Sequence, residues 1–452
     1  MGTTRALLSV AHLAGYALGM DLTRRSLLAS AACLAVAPTA HGAADGSGPK
    51  YLVVVLADGG WDVTFAMDPK TRGGLVDGPW VDENPDDPLD REALATIHGI
   101  PLLTNERRRP AVTRFFERYG AEACVINGIW TGSIVHQPCR IRMLTGSTKQ
   151  TNPDFATVVG FEKGVSVDRP LGSIDFSGLG YAGPLAASTG RIGHRSQLKA
   201  LLQDGVEFRP PQGASYGFPV FDPSEADEAL VQAHLEARIA SFRERYGGSA
   251  GGTDAVLDDM LESYGRRTRL LDNGELLADP LVLGVKPDLE LQADMASRLL
   301  AGGLCHAVTM AHFDTWDTHD NNATQHERYQ SLFSAVARLC DNLEQAGIYD
   351  DTLVVVMSEM TRTPKRNKKG GKDHWSHTSM LMVGPSVRGG TVVGGTNDSV
   401  ESLPVDLDSG EVDEANGALN KYDNLAAGLV EHLGADPERW FPGVVPFRGF
   451  TG

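Results

Sequence analysis

Positive charge is in short supply in this chain. Its 452 residues carry 41 Lys and Arg against 58 Asp and Glu, a net charge of −17 at pH 7. Such a surface repels nucleic acid and anionic membrane, which excludes both as partners. Aromatic residues are sparse at 7%, although 42% hydrophobic residues suffice for a substantial core. Beyond the N-terminus no segment approaches the ~20 apolar residues a membrane helix requires, so no integral membrane segment is expected in the mature chain. No Gly-Xaa-Ser-Xaa-Gly elbow occurs, and no dinucleotide or phosphate-loop glycine fingerprint follows a strand, which argues against serine-esterase and nucleotide-cofactor chemistry. Cysteines are few. Cys33 lies near the start, and Cys124, Cys139, Cys305 and Cys340 allow three pairings. Cys124 and Cys305 lie in apolar runs and are expected as free buried thiols.

The first residues read as an address rather than part of the fold. Thr23-Arg24-Arg25-Ser26-Leu27-Leu28 precedes a modest apolar run, residues 29–37. A twin arginine before an apolar stretch too short to span a membrane marks an export signal. Cleavage is expected after Ala44, giving a signal over 1–44 and a periplasmic or secreted domain over 45–452. The pathway carries folded proteins, often with a cofactor already loaded.

Five short apolar runs stop at acids, histidines or both. Residues 51–57 end at Asp58, and residues 123–126 lead to Thr131, Ser133 and His136. Residues 306–311 run into His312, Asp314, Asp317 and His319, and residues 353–357 end at Ser358-Glu359. Asp373, His374 and His377 stand just before the run at 380–383. Continuous apolar runs are the mark of buried parallel strands, and open α/β sheets bind ligands beyond the carboxyl ends of their strands. The donors are therefore expected at one sheet edge, around a metal or an anionic ester. Helical patterns at 110–119, 289–300, 325–346 and 422–433 alternate with the strands, implying parallel pairing and right-handed crossovers. Residues 68–101 read as a long loop over the strand-end face. Residues 157–287, with helical stretches at 224–246 and 254–271, read as a mostly helical insertion or cap.

The tract from Leu353 to Gly390, with Ser358-Glu359, Arg362 and Lys372-Asp373-His374-Trp375-Ser376-His377, resembles a bacterial secreted family known as domain of unknown function 1501. So does Trp316-Asp317-Thr318-His319. The resemblance implies a sulfatase-like, alkaline-phosphatase-type fold: three α/β/α layers around a mainly parallel sheet. A second resemblance lies at 135–146, where His136-Gln137-Pro138-Cys139-Arg140 and a following Leu144-Thr145-Gly146 are similar to the sulfatase signature. There the first position is a Cys or Ser that becomes formylglycine; here it is His136, which cannot be oxidised to that aldehyde. Arg140 matches the arginine that steadies the nucleophile. Asp58 matches the first of two metal-binding aspartates, while Gly59 stands where the second would be. Glu359-Met360 replaces Asp-His or Asp-Asn.

The surviving donors are rich in nitrogen. Such a set suits zinc or manganese better than calcium or magnesium, because imidazole favours borderline metals. The expectation is a divalent ion held by Asp58, Asp317, His319, Glu359, Asp373 and His374, which lowers the pKa of water and hydrolyses a phosphate or sulfate ester. Asp317 is read as the carboxylate that orients His319. His136 is a ligand, a general acid or a covalent nucleophile, with Arg140 beside it; Ser133 and Thr131 rank below it. Arg362, Lys365, Arg366, Lys368, Lys369 and Lys372 form a basic run that could clamp an anionic small molecule or glycan ester, with His377 nearby. His306 and His312 are expected as core histidines, and His326 as exposed. A catalytically silent protein that binds a glycan or a protein partner in the same cleft is the rival reading.

Overall fold

The computed structural model describes residues 48–148, 152–192, 225–246, 253–274, 276, 287–313 and 315–452. The expected export signal and Asp314 lie outside the described residues. Eight strands form one sheet. In chain order they are β1 (Tyr51–Ala57), β4 (Ala123–Trp130), β5 (Ser173–Asp175), β6 (Thr189–Arg191), β7 (Ala307–His312), β8 (Thr352–Met357), β11 (His377–Val383) and β12 (Thr391–Gly394). Between them lie a hairpin, β2 (Ala93–Ile97) with β3 (Ile100–Thr104), and a two-residue pair, β9 (Thr361–Arg362) with β10 (His374–Trp375). The sheet order is β12-β4-β11-β8-β1-β7-β5-β6. β1 sits in the middle, parallel to β7 and β8, with Leu52 opposite both Ala307 and Leu353.

Helices cover both faces, which is why the strands read as unbroken apolar runs. The first face takes Val53, Val55 and Ala57 of β1 against α1 (Pro110–Tyr119), α6 (Leu289–Ala301) and α7 (Gln325–Gln345). The opposite face takes Leu52, Val54 and Leu56 against α2 (His136–Thr145), α3 (Phe155–Glu162) and α8 (Tyr422–His432). The helices follow from their spacing: Tyr329, Leu332, Phe333, Val336, Leu339, Cys340 and Leu343 recur at three- and four-residue intervals along α7 and are all buried. Asp154 caps α3 by accepting from Thr157 N at 2.8 Å. The three-layer α/β/α architecture expected from the sequence is the one observed.

Two segments depart from expectation. Residues 93–104 form the hairpin instead of open loop. Residues 173–191 add β5 and β6 to the sheet, so the sheet reaches into the stretch read as an insertion. Helices α4 (Glu225–Tyr246) and α5 (Thr253–Asp272) follow it. Residues 229–261 belong to a second compact unit, in which Arg243 pairs with Asp258. The four described cysteines are buried and free. Among the described residues no helix is long and apolar enough to cross a membrane.

β11 decides the site. It is antiparallel to both β4 and β8, and among the described residues it is the one reversed strand of the sheet. The residues preceding it therefore lie at the same edge as the residues following β1, β4, β7 and β8. Had β11 run parallel, Asp373 and His374 would sit at the far end of the sheet.

Candidate metal centre

Four donors meet at that edge. His136, Asp317 and His374 bring ligand atoms within 4.8 Å of one another. His319 joins them, its Nε2 lying 3.0 Å from Asp317 Oδ1 and 2.9 Å from His374 Nε2. His374 Nε2 is 3.1 Å from the same Asp317 oxygen, and His136 Nε2 is 3.5 Å from it.

The outward nitrogen of each imidazole settles its tautomer. His374 Nδ1 lies 2.7 Å from the Ile134 carbonyl oxygen. His319 Nδ1 lies 2.8 Å from Asp373 Oδ1, and His136 Nδ1 lies 2.6 Å from Glu359 Oε1. A carbonyl and an ionised carboxylate only accept, so each Nδ1 carries the proton and donates it outward. In the neutral ring each Nε2 is then a bare lone pair, and those of His319, His374 and His136 lie 3.0, 3.1 and 3.5 Å from Asp317 Oδ1. His319 and His374 face each other lone pair to lone pair at 2.9 Å. His136 Nε2 is buried without a hydrogen-bond partner among the described residues. Such an arrangement is costly when nothing lies between the nitrogens, and oxygen acceptors behind the rings are what present histidines to a cation. The donor set fits a divalent metal of the borderline kind.

Charge around the point is tightly held. Burial works against ionisation of Asp317, but the Arg362 guanidinium outweighs it and holds its pKa down at about 2. The Glu359 hydrogen bond raises the pKa of His136 above the ordinary imidazole value, and the same bond makes Nε2 a stronger ligand. Glu359 itself is fully buried; desolvation is overcome by His136 and Arg140, and its pKa is lowered. It also accepts from Gly59 N at 3.0 and 3.2 Å. Asp58 is shifted the other way, upward, by burial and by the Glu359 charge. Arg140 bridges the two acids, its Nε 2.5 Å from Asp58 Oδ1 and 3.9 Å from Glu359 Oε1.

Several expected roles change. Asp317 stands at the convergence point, while Asp373 is the carboxylate that orients His319, the reverse of the expected division. Asp58 and Glu359 are engaged elsewhere: Asp58 pairs with Arg140, and Glu359 orients His136. Gly59 explains the missing second aspartate. Its φ is +123°, and a Cβ there would lie 2.9 Å from the backbone nitrogens of Trp316 and Asp317, so no side chain can be accommodated.

Two members of the basic run are interior rather than on the surface. Arg362 is fully buried, donating to the carbonyls of Gly60 at 2.7 Å and Trp316 at 3.0 Å and to Asp317 Oδ1 at 2.7 Å. Lys372 is fully buried on Asp62, 2.8 Å away. Lys365 pairs with Asp77, Arg366 with Asp82 and Lys369 with Asp320. His377 Nδ1 is engaged by Ser402 at 2.7 Å, and burial lowers its pKa. Thr131 and Ser133 tie the loop before α2, Thr131 Oγ1 donating to Ser133 O at 2.8 Å and Ser133 Oγ accepting from Val135 N at 3.1 Å. His312 is a core histidine, accepting from Trp316 Nε1 at 3.1 Å. His326, expected exposed, is buried against Phe65 and Arg109, because it falls on the inward stripe of α7.

Residues 232–444 match the family described as Protein of unknown function (DUF1501). The DUF1501 match spans Asp317, His319, Glu359, Arg362, Asp373 and His374, and leaves Asp58, His136 and Arg140 upstream. None of the curated proteins matches the chain. Among solved structures it is similar to Ps i-CgsB in complex with k-i-k-neocarrahexaose, at 11% identity and a TM-score of 0.39 over 88% of this chain and 75% of that one. PsFucS1 sulfatase from Pseudoalteromonas sp. is similar at 9% identity and 0.37, over 95% of this chain and 77% of its own. A protein in the alkaline phosphatase superfamily from Vibrio parahaemolyticus is similar at 10% and 0.35, over 86% and 67%. At these scores the fold rests on strand order and the chemistry on the residues.

Proposed function

We propose that this protein is an exported, metal-dependent hydrolase of a phosphate or sulfate ester. The observation that carries the reading is the gathering of three Nε2 atoms within 3.0 to 3.5 Å of one Asp317 oxygen, each imidazole held from behind by an oxygen acceptor. His136, Asp317, His319 and His374 would hold a divalent ion, zinc or manganese by donor type. When bound, it supplies Lewis acidity toward the ester and lowers the pKa of water toward neutrality. Asp373, Glu359 and the Ile134 carbonyl keep the imidazoles in register, and Arg362 keeps Asp317 ionised. Arg140, partly exposed beside Asp58, is placed to receive an ester oxyanion. Hydrolysis joins a water oxygen to phosphorus or sulfur, breaks the bond to the ester oxygen, and delivers one water proton to the alcohol.

One observation favours a second reading. His136 occupies the position of the sulfatase nucleophile and is held by Glu359, which suits a cleft that binds a glycan or partner without turnover. Metal analysis of the purified chain, with aryl phosphate and aryl sulfate assays on wild type and His374→Ala, separates the two. Stoichiometric metal with turnover lost in the variant supports the hydrolase; a metal-free, inert protein that binds a glycan supports the rival.

A further inference from the structure

We propose that the ester accepted here is monoanionic, a sulfate monoester or a phosphate diester, rather than a dianionic phosphate monoester. The inference rests on the hydrolase reading and follows from which charges the fold leaves available. Asp58, Glu359, Asp317 and Asp373 stand in or directly behind the site, and among the described residues Arg140 and Arg362 are the Arg and Lys side chains paired with them. The imidazoles contribute no charge when their Nε2 atoms face a cation. The protein groups are thus negative on balance, four carboxylates against two guanidiniums, and one divalent ion cancels the surplus without exceeding it.

Most of the neighbouring cations are already paired, and Lys368 is exposed on the loop. Lys365, Arg366, Lys369 and Lys372 are held by Asp77, Asp82, Asp320 and Asp62 at 3.0, 2.9, 2.9 and 2.8 Å. Arg362 is spent on backbone carbonyls and Asp317, which leaves Arg140 to meet one ester oxygen. A second full negative charge on the substrate would enter a site with no positive surplus and with Asp58 alongside. At short range in a partly buried cleft that is unfavourable.

The test uses three substrates with one leaving group: p-nitrophenyl sulfate, methyl p-nitrophenyl phosphate and p-nitrophenyl phosphate. It is paired with calorimetric binding of benzenesulfonate and phenylphosphonate to the metal-loaded chain, at a pH where the phosphonate is dianionic. One of the two monoanions is expected to exceed the phosphate monoester in kcat/KM by about tenfold or more, and which one leads distinguishes sulfate from diester chemistry. Benzenesulfonate should bind at least as tightly as phenylphosphonate. Asp58→Asn, which removes one negative charge, should narrow both ratios by about tenfold. A metal-loaded protein that prefers p-nitrophenyl phosphate and phenylphosphonate, or whose preference Asp58→Asn leaves unchanged, overturns the inference. A chain that takes up no metal and turns over none of the three overturns the hydrolase reading, and the inference with it.

Discussion

Two carboxylates at the same sheet edge are treated in opposite ways. Asp62 is buried, and its oxygens are shared out among Thr64 N at 3.2 Å, Thr64 Oγ1 at 2.7 Å, Asn322 Nδ2 at 2.8 Å and Lys372 Nζ at 2.8 Å. Asp317 gathers Arg362, His374 and His319 onto one oxygen, with His136 a little farther off. In the first arrangement each Asp62 oxygen has protein partners, and it ties the turn after β1 to the segment before β10. The second concentrates donors and lone pairs where the protein supplies nothing to separate them. Both use residues that are neighbours in the chain, Lys372 in one and His374 in the other. Saturation marks scaffold, and convergence marks a site.

The largest break of this contrast is expected at the scaffold. Lys372→Met leaves Asp62 buried without its cation and should cost about 3–5 kcal/mol in urea unfolding. Adding Asp62→Asn should recover part of that loss, since the stranded charge is removed. At the site, His319→Ala should leave the unfolding midpoint nearly unchanged while bound metal and ester hydrolysis fall about a hundredfold or more. Equal losses of stability in the two variants would erase the distinction. Glu359→Gln acts one step back: it weakens the hold on His136 and should lower metal affinity by roughly ten- to a hundredfold, read by competition with a chelator.

The smallest effect concerns a histidine of the scaffold kind. His306 bonds the Gly164 carbonyl at 3.0 Å, and burial lowers its pKa to about 4. Its unfolded-state pKa is near 6.5, so below that the unfolded chain takes up a proton that the folded chain refuses. The contribution is complete above pH ~6.5 and is lost as pH falls toward ~4. Wild type should lose roughly 1 kcal/mol more than His306→Gln between neutral pH and pH ~5. Parallel pH profiles for the two would show that His306 titrates normally.

Much of the architecture could be read in advance. The apolar runs ending at Asp58, Glu359 and His312, and the inward stripes of α1, α6 and α7, are local patterns with local causes. The convergence at one edge was also legible, although Asp373 and His374 join it only because β11 is reversed, and nothing in Met380-Leu381-Met382-Val383 announces a direction. The division of roles was not legible. Asp317 and Asp373 are both acids beside His319, and only burial next to Arg362 makes one the hub and leaves the other exposed behind the ring. Arg362 and Lys372 look like members of a basic surface run, yet both are interior. Asp62 is unmarked in the sequence, because a single aspartate in a turn carries no pattern.

By itself the sequence determined the layers, the helix faces and the stock of oxygen and nitrogen donors, since each follows from the residue types and their spacing along a few turns or a single strand. Tertiary structure alone decided which charges meet. Pairings such as Lys372 with Asp62, Arg140 with Asp58 and Glu359 with His136 join residues far apart in the chain. Electrostatic energy depends on distance and burial in space, and neither quantity is written in the order of the residues.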